Sequence, residues 1–274
     1  MVETTTIGRE ERTAIESGQD GLSFEMDQMS LYDAMKVFKS IDVDHVLMSG
    51  AKDGIRIAGA DIARVSLCVE YIDAKRCIKY TNSDQTFGIS LNDLKGVLMY
   101  IKGRIKFSQK KDLVTVSGAD GFVKTFPIYE EKMTVNIPNI NYKTGAVVNG
   151  KQLHTALKVA ADVADDVKLT ADKSNLILSA TREKTEMELP VKILKGDFKG
   201  EEGIASLFST HILEKVTRNF QKGDVMVRFI TTTETTKNGK VVEEKNPGPI
   251  KLNFKIGENG DDVKGYVMVA PRIP

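Results

Sequence analysis

Ser30–Phe38, SLYDAMKVF, and its counterpart about 120 residues downstream, Asn149–Ala160, NGKQLHTALKVA, decide how this chain is read. Each opens with a capping residue and then spaces apolar side chains at i, i+3, i+4 and i+7: Leu31, Ala34, Met35 and Phe38, then Leu153, Ala156, Leu157 and Ala160. That is the pattern of an amphipathic helix, written twice. Ser30 and Asp33 have capping-box spacing. On a helical wheel Lys36 and Lys39 stand away from the first stripe, and Lys151 and Lys158 stand nearly opposite the second. Two helices bury one face and offer cations on another.

Outward from the first helix, Met1–Asp20 is rich in threonine and charge and reads as a mobile tail outside the fold. LSFEM, Leu22–Met26, alternates like a half-buried strand. His45–Ser49, Gly54–Gly59 and Val65–Ile72 read as a β-meander. Ser90–Ile101 repeats the helix recipe, with Ser90 and Asp93 as its cap pair and Lys95 and Lys102 beside the stripe. Strands at Arg104–Ser108, Leu113–Ser117 and Phe122–Ile128 follow. Tyr129–Tyr142, YEEKMTVNIPNINY, holds no period and reads as a connector.

The order then reruns. At an offset of 122 residues Leu31 falls on Leu153, and at 119 Leu94, Val97 and Ile101 fall on Leu213, Val216 and Phe220 of a fourth helix, Ser209–Phe220. A tandem duplication of one α+β domain is predicted, with units at 21–128 and 143–274 joined by 129–142. Final strands are expected at Val225–Thr231, Ile250–Ile256 and Gly265–Ala270. Thr232–Gly248 is a polar excursion whose Asn238-Gly239 is a hairpin signal.

The 41% hydrophobic content suffices for a core in each unit, and 39 basic residues nearly cancel 38 acidic ones. A basic surface must therefore come from segregated charge. Cys68 and Cys77 make no disulfide framework, and the reading is intracellular, with neither membrane span nor signal peptide. His45, His154 and His211 lack metal-ligand spacing, and no glycine loop for phosphate or nucleophile elbow is present, so neither metal nor cofactor is expected. Asp165-Asp166 and Asp261-Asp262 keep one alternative open, a metal-dependent nucleic-acid processing enzyme. On the fourth helix Lys215, Arg218 and Lys222 also avoid the apolar stripe. Four basic helix faces in a nearly neutral chain suggest a surface for the phosphates of a duplex, salt-sensitive and indifferent to sequence. Few aromatics lie there, which disfavours stacking on single strands.

The ending Gly265–Ile273, GYVMVAPRI, resembles the Leu-Ala-Pro-Lys/Arg-Ile ending of the proliferating cell nuclear antigen family, the sliding clamps of archaeal and eukaryotic replication. Gly54–Leu67, GIRIAGADIARVSL, is similar to that family's strand, Asp-containing turn and Val-Ser-Leu strand, and Asn136–Tyr142, NIPNINY, to the end of its connector. The resemblance spans Gly21 to the C-terminus. It implies an α+β DNA-clamp fold of two tandem domains, each with two helices facing inward on antiparallel sheets. Three chains then close head to tail around duplex DNA. It implies a non-enzymatic processivity factor for DNA polymerase that also tethers a clamp loader, ligase and flap nuclease through short peptide motifs. A subunit of a heterotrimer is the variant reading, and the compartment is cytoplasm or nucleoid, or else nucleus.

By this resemblance Lys36, Lys39, Lys95, Lys102, Lys151, Lys158, Lys215, Arg218 and Lys222 face DNA. Val65, Leu67, Val135, Ile137, Pro249, Met268 and Ala270 form the partner-peptide pocket, with Arg64 at its rim. Phe122, Lys124, Phe126, Met187 and Leu189 lie at the subunit interface, on the strand candidates Gly121–Tyr129 and Lys184–Ile193 exposed as edges in a lone chain. Met268 stands where the family often has an aromatic, and Ala60 where a larger apolar residue is usual.

Overall fold

Asp27 ends the first strand and starts the first helix. In the computed structural model, which describes residues 21–83, 85–129, 135–140, 142, 144–198, 206–229, 233–237, 240–244, 248–257 and 262–272, its carboxylate accepts a hydrogen bond from the Met29 N–H at 2.8 Å. The expected cap at Ser30 is thereby corrected. Asp27 leaves the strand in an extended conformation, as a capping residue must, so the helix begins at Gln28 and Ser30 lies inside its first turn. Asp33 accepts instead from Lys36 Nζ at 2.8 Å. The expected tail 1–20, connector residues 130–134, the Asn238-Gly239 turn, Asp261 and Ile273 lie outside the described residues.

The first half comprises β1 (Ser23–Asp27), α1 (Gln28–Ser40), β2 (His45–Ala51), β3 (Gly54–Ala60), β4 (Ser66–Asp73), β5 (Lys79–Thr81), β6 (Thr86–Ser90), α2 (Leu91–Tyr100), β7 (Arg104–Lys110), β8 (Leu113–Gly118) and β9 (Val123–Pro127). The second comprises β10 (Thr144–Asn149), α3 (Gly150–Val163), β11 (Asp166–Ala171), β12 (Asn175–Arg182), β13 (Thr185–Phe198), β14 (Ser206–Ser209), α4 (Thr210–Thr217), β15 (Asp224–Phe229), the hairpin β16 (Thr233–Lys237) and β17 (Lys240–Glu244), β18 (Ile250–Ile256) and β19 (Val263–Val269). Sequence periodicity missed β5 and β6. They are short, and Tyr80, Phe87 and Ile89 supply too few positions for an alternation to show.

Pairing repeats between the halves. In the first, β6-β2-β3-β4 form one run and β5-β1-β7-β8-β9 another; in the second, β14-β11-β12-β13 continue into β13-β10-β15-β18-β19. The long β13 does the work of both β4 and β5: Thr185–Lys192 pairs with β12 and Ile193–Phe198 with β10. Where β13 passes through, the first half breaks at a 3-10 turn, Ala74–Arg76. The halves are joined by β19 pairing with β4, from Lys264↔Tyr71 to Val269↔Ser66.

The four helix caps differ. Ser90 accepts from the Asp93 N–H at 3.2 Å, as expected, and Asn149 from Gln152 N–H at 3.1 Å. Ser209 makes no side-chain cap bond; Thr210 Oγ1 instead donates to the Ala164 carbonyl at 2.8 Å. The expected fourth helix is also shorter, because Arg218–Phe220 tightens into a 3-10 turn. The predicted stripes are all buried, and one continuous apolar cluster runs through both halves. Phe24 stacks on Phe107 at 4.6 Å and Phe220 on Phe254 at 4.2 Å.

Candidate nucleic-acid interface and binding surfaces

Burial of each helix's stripe leaves its cations outside. Lys39, Lys102, Lys151, Lys158, Lys215, Arg218 and Lys222 are exposed, and Lys36 and Lys95 partly so. They are not electrostatically equal. Lys36 is held by Asp33 and lies over the Tyr32 ring at 4.6 Å. Arg218 makes a two-pronged pair with Glu214, at 2.9 and 3.1 Å. Lys215 reaches Asp42 at 3.4 Å, across the seam between the halves. Lys39, Lys95, Lys102, Lys151, Lys158 and Lys222 form no ion pair among the described residues, so no described carboxylate competes with an external anion for them.

The structure brings Lys36, Arg218 and Lys222 together around a hollow of about 670 Å³, also lined by Asp33, Gln221 and Lys255. Lys255 and Asp42 were not found from sequence. Lys255 sits on a strand that helix periodicity never samples, and Asp42 meets Lys215 from 173 residues away.

Of the expected partner-pocket residues, Val65, Leu67, Met268 and Ala270 are brought together by the β4–β19 junction. Leu67 is opposite Met268, and the Ala270 N–H donates to the Val65 carbonyl at 2.8 Å. Met268 is buried, and Val65, Leu67 and Ala270 are half-buried. Pro249 directly precedes β18, itself paired with β19. Val135 and Ile137 are half-buried in the connector. Arg64 is exposed, with left-handed backbone at φ 55°.

Among the open strand edges of the described residues are those of β9 and of the first part of β13. β9 is the last strand of its sheet, and the Thr185–Lys192 part of β13 has β12 on one flank and no strand on the other among the described residues. Phe122, Met187 and Leu189 are half-buried there, and Phe122 stacks against the exposed Tyr100 at 6.4 Å. Phe126 is 4% exposed, its side chain packed in the core while its backbone lies on the β9 edge. Strand alternation turns its side chain to the same face as Val114 and Val116. Lys124 is exposed and pairs with Asp93 at 3.6 Å.

His154 is buried, with Nδ1 3.4 Å from Thr217 Oγ1 and Nε2 3.8 Å from Glu214. Burial lowers its pKa, which Glu214 opposes and Arg218 reinforces. His211 lies 3.2 Å from Asp165. No set of three metal-ligating side chains occurs among the described residues. Glu70 on β4 is fully buried, its Oε1 3.8 Å from Cys68 Sγ and its Oε2 without a partner. Burial raises its pKa well above the ordinary carboxyl value.

No family model matches the chain. The DNA polymerase sliding clamp of Thermococcus sibiricus is 24% identical over 242 residues, covering 84% of this chain and 90% of the relative. DNA polymerase sliding clamp 1 of Pyrobaculum aerophilum is 24% identical over 269 residues, covering 89% and 98%. Among solved structures, PCNA of Thermococcus kodakaraensis matches with a TM-score of 0.76 at 18% identity, over 92% of this chain and 100% of that one. A. fulgidus PCNA, solved with the C-terminal region of FEN-1 bound, matches at 0.75 and 15% identity, over 92% and 99%. A chain of the PCNA2–PCNA3 complex of Sulfolobus tokodaii matches at 0.70 and 17%, over 91% and 99%.

Proposed function

We propose that this chain is a DNA sliding clamp of the proliferating cell nuclear antigen family, a non-enzymatic processivity factor, and that three copies close head to tail around duplex DNA with their helix faces inward. The observation that carries the ring is the pairing of β19 with β4 set against the open edges of β9 and β13. Through the internal repeat, β9 is the counterpart of β19, and Thr185–Lys192 the counterpart of β4. The chain therefore contains one completed junction and the two separated halves of a second. Joining β9 of one copy to β13 of the next repeats the internal junction between chains. The contact is heterologous, and rotation closes it into a ring.

The unpaired lysines supply the inner surface. Spread over helices from both 21–128 and 143–274, they hold phosphates without reading bases, so the ring stays on DNA and still slides. DNA polymerase, a clamp loader, ligase and flap nuclease dock at the Val65, Leu67, Met268, Ala270 patch through short apolar motifs, beside Val135, Ile137 and Pro249. The FEN-1 region bound to the A. fulgidus relative supports this reading.

Light scattering on the purified chain is expected to give the mass of three copies. After loading, the protein stays on closed circular duplex through a high-salt wash and leaves when the circle is cut. Equal release from circular and linear DNA overturns the ring. A monomer that assembles only with paralogous chains replaces the homotrimer by a heterotrimer.

A further inference from the structure

Between α3 and α4 the second half buries polar groups that the fold does not need. At the helix offsets of 122 and 119 residues, His154, Glu214, Thr217 and Arg218 stand where the first half has Tyr32, Lys95, Leu98 and Met99. Leu98 is apolar and fully buried. In its place Thr217 Oγ1 donates to the Leu213 carbonyl at 2.8 Å, so toward His154 Nδ1, 3.4 Å away, the hydroxyl is left to accept. Nδ1 therefore carries the ring proton, and Nε2 turns an unprotonated nitrogen toward Glu214 Oε1 at 3.8 Å. The same carboxylate accepts both bonds from Arg218. Its two neighbours differ in freedom, for the Glu214 side chain is 13% exposed and that of Arg218 64%. A carboxylate so covered needs a cation beside it, whereas the guanidinium has a second choice. Arg218 also lines the hollow shared with Lys36 and Lys222, where an anion from outside meets three cations together.

We propose that His154 is a positioning residue for Arg218: when a DNA phosphate in the hollow draws the guanidinium off Glu214, His154 takes a proton from solvent at Nε2 and replaces it beside the carboxylate. The inference rests on the reading of these helix faces as the DNA surface. Burial first holds the His154 pKa below the ordinary 6.5; Glu214 opposes this, and Arg218 and then Lys158 reinforce it. A phosphate that neutralises Arg218 and moves it away removes a cation from the ring and leaves Glu214 in place. His154 thus holds its proton more tightly in the bound clamp than in the free one. The linkage is reciprocal: duplex binding takes up a proton, and duplex affinity rises as pH falls from the raised bound pKa toward the lowered free one. Tyr32 and Lys95 bring neither an imidazole nor a carboxylate to the first half, so the coupling belongs to the second.

Binding of a short fluorescent duplex to the full chain, followed by anisotropy at low salt from about pH 8 to about pH 5.5, spans the histidine range and tests it. Wild type is expected to gain about threefold to tenfold more affinity over that range than His154→Gln gains, one coupled proton being worth at most about tenfold per pH unit. Calorimetry in buffers of different ionisation enthalpy should show the matching proton uptake in wild type and its loss in His154→Gln. Glu214→Gln releases Arg218 and is expected to bind more tightly than wild type at the alkaline end, with the same flattened profile as His154→Gln. A His154→Gln variant that keeps the wild-type profile overturns the coupling, as does wild-type binding with no more proton uptake than the variant shows. A Lys39→Glu, Lys151→Glu double variant separates this from the underlying reading. If it weakens duplex binding while His154→Gln leaves the profile unchanged, the helix faces hold DNA and the coupling alone fails; if duplex binding is indifferent to it, the helix-face reading fails and the coupling falls with it.

Discussion

The internal junction fixes which residues meet across the proposed subunit junction. Asp27 and Asn149 cap equivalent helices and pair with Arg104 and Asp224, which aligns Lys106 with Met226. Their partners Ser117 and Asn253 then correspond, as do Val123 and Tyr266. On the other side Ala58 aligns with Ser179, so Val69 aligns with Glu188. Tyr266 faces Val69 within the chain; Val123 must therefore face Glu188 of the neighbouring copy. The internal pair sits on the hydrogen-bonded positions of the ladder, four residues from the Ala270–Val65 bond. Its Cα atoms should be about 5.5 Å apart, inside the range a disulfide spans. Val123 is 62% exposed in the single chain and open to substitution. A Val123→Cys, Glu188→Cys double variant in the Cys68→Ser, Cys77→Ser background is expected to oxidise to covalently closed trimers, read by denaturing electrophoresis. Val123→Cys with Glu186→Cys is a diagonal pair, about 7 to 8 Å apart, and is expected to link poorly. Val123→Cys with Met187→Cys places the thiols on opposite faces and should not link. More efficient linking of either control would refute the register and the repeat argument behind it.

Glu70→Gln is expected to change how stability depends on pH. Burial raises the Glu70 pKa first, with Cys68 lowering it and Asp33 raising it. The folded state thus holds its proton more tightly than the unfolded chain, and wild-type stability falls as pH rises from the ordinary 4.5 to the raised folded value, by about 1.4 kcal/mol per pH unit. Urea titrations at several pH values should show the glutamine variant gaining on wild type over that window, and parallel curves would count against a buried, unpaired carboxyl. On DNA, Lys158→Glu should weaken low-salt affinity more than Lys215→Glu, because Asp42 already shares the Lys215 charge. Each phosphate contact removed lowers the slope of log K against log salt by about 0.9, and equal effects of the two variants would show that the ion pair does not persist in solution.

The duplication was legible because it repeats at the level of helix stripes. Leu31 and Leu153, or Leu94 and Leu213, must face the same kind of core, and spacing alone displays that. The first cap was misread since capping-box spacing at Ser30 and Asp33 also arises inside a first turn, and only the strand ending at Asp27 decides between them. Charge periodicity found the basic faces but could not separate Lys158 from Lys215, because the carboxylate that restrains Lys215 comes from the other half. The burial of Phe126 was not legible for a related reason: an edge strand has an open backbone flank and a buried side-chain face, and the sequence pattern does not say which property a given residue serves.

The two junctions also diverge in a way that separates their tasks. On the face of the internal junction that carries Val65, Leu67, Met268 and Ala270, the repeat places Lys184, Glu186, Thr125 and Pro127 at the subunit junction. Apolar residues make the proposed docking patch where the chain itself holds the strands together. Charges and a proline occupy the equivalent positions on edges that stand bare before assembly, where an apolar face would pair with the wrong strands. Pro127 does more than protect. Its counterpart Ala270 donates an N–H to Val65 at 2.8 Å, and proline has no N–H to give. The proposed intersubunit ladder is therefore shorter by at least that bond than the internal ladder it copies. The proposed ring has to part somewhere to admit closed circular DNA, and this asymmetry is expected to put the opening between chains rather than within one.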